Sequence, residues 1–150
     1  MMARRAVMDE PLAKLIRALL EGEAEILNSY SRPVAKALGF LADHFHQAVT
    51  MQDVASQALV SRSQLYRLFR QEIGLSPLQV LMALRVEKAK SLLSRRRFNV
   101  TEVCWAVGFA DLRSFERAFK RWVGCTPKAY RKNVLSEPVP AEPEGRRRPP

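Results

Sequence analysis

The sequence has few of the residues on which catalytic, metal-binding and disulfide-stabilised proteins depend. Two cysteines, Cys104 and Cys125, are too few for a disulfide framework. The two histidines, His44 and His46, diverge by about 200° on a helix and lack the one-face spacing of a metal pair. The sequence also offers no paired carboxylates, no glycine-rich phosphate loop and no Cys–His arrangement. These absences argue against an enzyme and predict no catalytic residue, no metal and no cofactor.

Long apolar segments are missing as well. No secretory hydrophobic region follows Met1, and no apolar run is long enough to cross a membrane. A reducing cytoplasm is therefore the expected location, and no membrane partner is predicted. Cys104 falls on the apolar side of a predicted helix, which favours a buried structural thiol over a redox sensor. Because the alternating pattern of strands is absent too, the sequence predicts an all-α fold.

Positive charge is what the sequence has in excess, with a net charge of +10. Residues 41–132 contain 16 Lys or Arg against 7 Asp or Glu, so this segment holds nearly all of the surplus. Such a concentration suits a polyanionic partner, although solubility alone can also account for it.

The basic segment contains an internal repeat. At an offset of fifty, Leu65, Arg67, Phe69, Arg70, Gly74 and Pro77 recur as Phe115, Arg117, Phe119, Lys120, Gly124 and Pro127. At an offset of forty-nine, Thr50, Asp53, Val54, Ala55 and Val60 recur as Asn99, Glu102, Val103, Cys104 and Phe109. One inserted turn residue accounts for the slip. Each copy has a short helix, a tight break and an arginine-rich second helix, which predicts two helix-turn-helix motifs that bind DNA.

Cap and break signals divide the chain into an extension, a domain and a tail. Residues 1–33 are expected to form an N-terminal extension, unstructured to Asp9, with an amphipathic helix over Pro11–Leu27 interrupted near Gly22. The domain is expected over residues 34–132, with a first motif at about 51–73, a linker helix at about 77–93 and a second motif at about 100–123. Residues 133–150, rich in Pro and Arg, predict a disordered tail.

Polar residues at the starts of helices support these boundaries. Capping boxes are predicted at Thr50–Asp53, Ser61–Gln64 and Asn99–Glu102. Ser76 and Asp111 are expected to cap the linker helix and the last arginine-rich helix. A final short helix is expected to run from Pro127 to about Lys132.

A longer pattern of spaced residues resembles the AraC/XylS family of bacterial transcription regulators. It runs Ser61-x3-Leu65-x3-Phe69-x4-Gly74-x-Ser76-Pro77, Arg85-Val86-x2-Ala89-x2-Leu92-Leu93, then Val107-Gly108-Phe109-x5-Phe115-x3-Phe119-Lys120-x3-Gly124-x-Thr126-Pro127-x2-Tyr130-Arg131. The resemblance covers about residues 34–132 and implies seven helices, with two helix-turn-helix subdomains joined by the linker. It implies a sequence-specific regulator that activates or represses bacterial promoters. Double-stranded DNA is the implied partner, with RNA polymerase as a further candidate.

The linker sets the spacing of the two recognition helices. Seventeen residues from Pro77 to Leu93 give about 25 Å of helix. With the half-width of each subdomain added, the recognition helices come close to one turn of B-DNA apart, about 34 Å. One monomer is therefore expected to enter two successive major grooves, with DNA bending where the fit requires it.

Helix geometry and the resemblance together nominate the residues that contact DNA. The positions that face bases in DNA-bound family members correspond to Ser63, Tyr66 and Arg67 in the first recognition helix and to Leu112, Arg113, Ser114 and Arg117 in the second. Arg67 and Arg117 are the first candidates because they are equivalent in the repeat and arginine suits guanine O6 and N7. A phosphate contact or plain surface charge is the alternative for each. Phosphate contacts are expected from Arg62, Arg70, Lys120 and Arg121.

Two other interpretations stay open. A non-specific architectural DNA-binding protein would also be small and basic, and a longer effector-sensing regulator would contain this chain as its DNA-binding fragment. The extension before the domain is too short for a ligand pocket of its own. Its leucine-rich segment, Leu12–Leu27, has three alternatives: docking on the domain, pairing with itself, or binding another subunit.

Overall fold

A computed structural model describes residues 8–136 of the chain, which form eight α-helices, one 3-10 helix and no strand. The predicted all-α fold is confirmed. The helices are α1 Glu10–Leu20, a 3-10 helix Ala24–Ser29, α2 Arg32–His44, α3 Met51–Ala58, α4 Arg62–Glu72, α5 Pro77–Leu93, α6 Val100–Ala106, α7 Leu112–Val123 and α8 Pro127–Ser136.

The start of the chain is ordered earlier than predicted. The Asp9 carboxylate accepts a hydrogen bond from the backbone N–H of Leu12 at 3.0 Å, so Asp9 caps α1 instead of preceding it as coil. The backbone N–H of Met8 donates to the carbonyl of Trp122 at 3.3 Å. Residues 1–7 of the segment predicted to be unstructured lie outside the described residues. The predicted interruption is present, since α1 ends at Leu20 and Gly22 has a φ of +74°.

The apolar face of α1 packs against the rest of the domain. Leu15, Ile16 and Leu19 are buried in the same hydrophobic core as α2 and α5. Of the three alternatives for the leucine-rich segment, the structure therefore shows docking within the chain.

The linker helix α5 is the centre of the fold. Its first turn is closed by a reciprocal pair of hydrogen bonds between Ser76 and Gln79, and Pro77 needs no hydrogen-bond donor at that position. Both subdomains pack on it, because α1, α4, α6, α7 and α8 all contact α5. Apolar residues are consequently buried around most of its circumference, namely Val80, Leu81, Ala83, Leu84, Val86, Ala89 and Leu93.

The predicted capping boxes are present at two of three places. Thr50–Asp53 and Asn99–Glu102 make both reciprocal hydrogen bonds. Ser61 accepts a hydrogen bond from the backbone N–H of Gln64 at 3.1 Å, but the Gln64 side chain gives no return acceptor, so this cap is a simple one.

The last helix is longer than the sequence indicated. It extends to Ser136, and residues 133–136 of the predicted tail are therefore helical. Val134 and Leu135 are half-buried, and Val134 lies one turn after Tyr130, which packs against the core. The rest of the predicted tail, from residue 137, lies outside the described residues.

The turns of the two helix-turn-helix motifs differ in the space around the residue that has positive φ. Leu59 in the first motif and Gly108 in the second occupy equivalent positions, and both have positive φ, +60° and +105°. Leu59 is 79% exposed, so its side chain meets no obstacle. A Cβ at Gly108 would lie 2.7 Å from the carbonyl oxygen of Phe45 and 2.9 Å from Nε of Arg85. The second turn therefore requires glycine for space as well as for φ.

Candidate nucleic-acid interface

The first recognition helix, α4, separates an apolar face from a polar one. Leu65 and Phe69 are fully buried, and these two residues fix which side of the helix faces the core. Of the residues that the sequence nominated as DNA contacts, Tyr66 is half-buried and the others are exposed, namely Arg62, Ser63, Arg67 and Arg70. The structure thus places all five on the part of α4 that is accessible to a ligand.

The second recognition helix, α7, repeats this arrangement with a larger apolar face. Phe115, Phe119 and Trp122 are buried, and the Phe115 ring packs against Phe109 at 5.3 Å and against Phe119 at 5.8 Å between ring centroids. The nominated cations are all exposed, namely Arg113, Arg117, Lys120 and Arg121. The guanidinium of Arg121 lies 5.7 Å from the ring centroid of Trp122, within range of a cation–π contact.

Leu112 and Ser114 are less free than the cations. Leu112 is half-buried and packs against the core. The Ser114 hydroxyl donates to a carboxylate oxygen of Asp111 at 3.1 Å, while its backbone N–H donates to the other oxygen at 2.7 Å. The donor of Ser114 is therefore occupied, and its hydroxyl has only acceptor capacity left for another molecule.

Asp111 is an anionic group at the start of the second recognition helix. The hydrogen bonds from the backbone and side chain of Ser114 lower its pKa, and the positive charges of Arg117 and Arg113 act in the same direction. A charged cap is favourable there because the helix dipole is positive at its N-terminus. Asp111 consequently stays ionised and gives the neighbouring arginines a local counter-charge.

Two further arginines donate hydrogen bonds to the loops that lead into the two motifs, a role that was not predicted from the sequence. Arg85, in α5, is only 7% exposed and donates from Nε to the carbonyl of Phe45 at 2.7 Å and from Nη2 to the carbonyl of Gln47 at 2.9 Å. Its guanidinium carbon also lies 5.4 Å from the ring centroid of Phe109, in the turn of the second motif. Burial lowers the pKa of Arg85, but an arginine stays protonated in proteins. Arg85 thus connects the end of α2, the linker helix and the second motif.

Arg131, in α8, plays the same part for the loop that precedes the second motif. It donates from Nε to the carbonyl of Leu93 at 3.1 Å, and from Nη2 to the carbonyls of Arg95 and Phe98, the former at 3.0 Å. These acceptors are the last residue of α5 and the loop that leads to α6. Both arginines belong to the spaced pattern of the sequence, and Arg85 is also a single cation within an otherwise apolar stretch of α5, but neither signal indicates which groups they bind.

Two other classes of site have no counterpart in the described residues. Among residues 8–136, no cluster of three His, Cys, Asp or Glu side chains is placed to hold a metal ion. In the same part of the chain, every helix is too short or too polar to span a membrane.

Comparison with known proteins adds an independent finding. A sequence model described as a helix-turn-helix domain matches residues 54–133. The raffinose operon transcriptional regulatory protein RafR of Pediococcus pentosaceus is 36% identical over 98 residues, which is 65% of this chain and 35% of RafR. The RCS-specific HTH-type transcriptional activator RclR of Escherichia coli K12 is 41% identical over 87 residues, 58% of this chain and 31% of RclR. The chain therefore spans about a third of the length of these curated relatives.

Solved structures give the same result at the level of the fold. The crystal structure of the DNA-binding domain of AdpA, a global transcriptional factor in complex with a target DNA, superposes with a TM-score of 0.66 at 32% identity. The match covers 71% of this chain and 96% of that domain. Nearly the whole of a structurally characterised domain is thus present within the described residues.

Proposed function

The chain belongs to the AraC/XylS family of bacterial transcription regulators, and from this membership we propose that it is a sequence-specific DNA-binding transcription regulator. It inserts α4 and α7 into two successive major grooves on one face of the DNA. The observation that most supports this proposal is the pair of capped, arginine-rich helices in two subdomains that share one buried linker helix. The AdpA domain, a relative of similar fold, was solved with a target DNA, which supports DNA as the ligand.

Arg67 and Arg117 are the proposed primary base contacts. Both are exposed, both lie in the middle of their helices, and they are equivalent in the repeat. Each fits bidentate binding to guanine O6 and N7. Ser63, Tyr66 and Arg113 contribute further base contacts from the same faces.

Leu112 and Ser114 have narrower proposed roles in the second groove. The exposed part of Leu112 fits a thymine methyl group. Because its hydroxyl already donates to Asp111, Ser114 is expected to accept a hydrogen bond from an exocyclic amino group of adenine or cytosine. Phosphate contacts are assigned to the exposed cations nearer the helix ends, Arg62, Arg70, Lys120 and Arg121.

Selection of bound sites from a random DNA pool tests the proposal as a whole. We expect two short conserved blocks about one helical turn apart, bound by a monomer. A single uninterrupted block, or binding that requires a dimer, would contradict the two-groove arrangement. Competition of the selected site with scrambled DNA at moderate salt separates this function from a non-specific architectural protein, which would show no preference.

Substitution of the two arginines tests the assignment of base contacts. Arg67→Ala and Arg117→Ala should each cost about 1–3 kcal/mol at the selected site and relax the preference at one position in one block. Arg70→Ala is the matched control, since loss of a phosphate contact weakens all sequences alike and lowers the salt dependence. An equal loss on selected and scrambled DNA for Arg67→Ala would make Arg67 a phosphate contact instead.

A second candidate is that this chain is the DNA-binding part of a larger effector-sensing regulator. The share of the curated relatives that it spans, 35% of RafR and 31% of RclR, favours this candidate. A promoter reporter carrying the selected site distinguishes the two. If the chain alone changes transcription from that promoter it acts without a sensor, whereas binding without any change supports the second candidate.

The proposed regulation of bacterial promoters implies a location in the cell and a second partner for the protein. We place it in the cytoplasm, on the nucleoid when bound, with RNA polymerase as its second partner and no catalytic role of its own. Self-association through Leu12–Leu27 is disfavoured because Leu15, Ile16 and Leu19 are already buried within the chain.

A further inference from the structure

Three consecutive arginines, Arg95, Arg96 and Arg97, form an exposed basic loop between α5 and α6. Among the described residues the ion pairs are Arg17–Glu10 and Lys90–Glu87, so none of the three arginines pairs with a described carboxylate. Adjacent like charges repel one another, and a bound polyanion would relieve that repulsion. The loop is thus a concentrated positive charge without a carboxylate partner in the described part of the chain.

The backbone of this basic loop is fixed although its side chains are exposed. Arg131 donates hydrogen bonds to the carbonyls of Leu93, Arg95 and Phe98, which include both ends of the loop. Asn99 then caps α6 immediately after it. The three arginine side chains therefore project from a held backbone, so less conformational entropy is lost when they bind a ligand.

The first motif has an equivalent loop that lacks these charges. In the first motif the equivalent positions are His46, Gln47 and Ala48. That loop is held in the same way, since Arg85 donates to the carbonyls of Phe45 and Gln47. An arginine that holds the loop is thus present for both motifs, buried Arg85 for the first and half-buried Arg131 for the second, whereas the exposed arginines occur only in the second.

We propose that Arg95–Arg97 is an additional DNA-phosphate site that anchors the second half of the binding site; this inference rests on the proposed function. In helix-turn-helix proteins the first helix of the motif crosses the DNA backbone, and the basic loop leads directly into that helix, α6. The loop also lies at the far end of α5 from the first motif, about 25 Å along the helix axis from Pro77. The phosphates that the loop contacts therefore belong to the second block of the DNA site, the block that α7 enters. The two motifs bind unequally, with the second contributing more of the salt-dependent affinity.

The test uses Arg95→Gln/Arg96→Gln, because Arg97 also packs over the ring of Phe98 at 5.5 Å. Each lost phosphate contact reduces the slope of log affinity against log salt by about 0.9. The double variant should therefore lose about 1.8 in slope, so the drop in affinity between about 50 and 200 mM salt becomes about twelvefold smaller. Ethylation should cease to interfere at the phosphates that the basic loop contacts in the second block. Interference should persist at the phosphates of the first block and at those assigned to Lys120 and Arg121. The selected sequence itself should stay the same.

Two controls make the outcome decisive. Lys14→Gln/Arg17→Gln removes the same charge from the exposed face of α1 and should leave the slope unchanged. Arg95→Lys/Arg96→Lys keeps the charge and should retain the wild-type slope. An unchanged slope for the glutamine pair, an equal effect in both blocks, or equal losses for the lysine and glutamine pairs would overturn the inference. Failure of the proposed function is distinguishable, since the wild-type protein would then show no preference for the selected site.

Discussion

Replacing Gly108 with alanine should destabilise the protein through two separate effects. The first is backbone strain, because φ at Gly108 is +105° and a residue with a Cβ disfavours positive φ. The second is steric, because the new Cβ would lie 2.7 Å from the Phe45 carbonyl oxygen and 2.9 Å from Nε of Arg85. Neither neighbour can move freely, since Arg85 and Phe45 are joined by a 2.7 Å hydrogen bond.

The structure offers a control that separates the two effects. Gly74 has a φ of +89°, and a Cβ there would meet no atom within 4 Å. Gly74→Ala should therefore report strain alone, about 1–2 kcal/mol. Gly108→Ala adds a clash of the kind that costs about 1–3 kcal/mol in a packed interior. Its free energy of unfolding should fall by about 3 kcal/mol in total.

Urea denaturation of the two variants gives the comparison directly. Gly108→Ala should unfold at a clearly lower urea concentration than Gly74→Ala, with the same dependence of free energy on denaturant. Equal losses in the two variants would show that the close approach to Phe45 does not constrain the turn. Because Gly108 precedes α7, Gly108→Ala should also weaken binding at the second block more than at the first.

Three other predictions address the turn, the buried arginine and the thiols. Leu59→Gly should raise the free energy of unfolding, measured by urea denaturation, by about 0.5–1 kcal/mol. The substitution relieves backbone strain at a φ of +60° and removes little buried apolar area, so a loss of stability would contradict this expectation. Arg85→Met should lower the free energy of unfolding by about 2–4 kcal/mol, because two hydrogen bonds from a charged donor are lost. Lys88→Met, on the exposed side of the same helix, should change this free energy little, and similar losses in the two variants would refute the argument. Burial and the charges of nearby carboxylates raise the pKa of Cys104 to about 11. A thiol reagent at neutral pH should therefore modify Cys125 in the native protein and Cys104 only after unfolding. Equal rates of modification in the native state would show that Cys104 is accessible.

The features that could be predicted from the sequence are those encoded by neighbouring residues. A cap and its partner are three residues apart, so Thr50–Asp53 and Asn99–Glu102 were recognisable without any tertiary structure. The linker helix is bounded by Pro77 and ends at Leu93 as expected, since both signals are local. Ser61–Gln64 shows the limit of such a prediction. It has the sequence of a capping box, but the sequence does not decide which rotamer the Gln64 side chain adopts.

The features that could not be predicted depend on residues far apart in the chain. Arg85 donates to carbonyls that precede it by 40 and 38 positions, and Arg131 to carbonyls 38 to 33 positions before it. Backbone carbonyls exist at every residue, so no sequence pattern marks these acceptors. The left-handed Leu59 was equally hidden, since that conformation normally indicates glycine or asparagine.

The same long-range contacts explain how one chain can hold two recognition helices at a fixed spacing. The linker helix alone sets a length, but it would leave each subdomain free to rotate about the helix axis. Arg85 removes that freedom, because it is hydrogen-bonded to the end of α2 before the first motif and lies against Phe109 in the second. Packing of α1 on α5 and the backbone contact from Met8 to Trp122 add a second connection, from the N-terminal segment to the end of α7. A rigid pair of recognition helices loses little entropy when the second enters its groove, which supports the proposal that a monomer occupies both grooves.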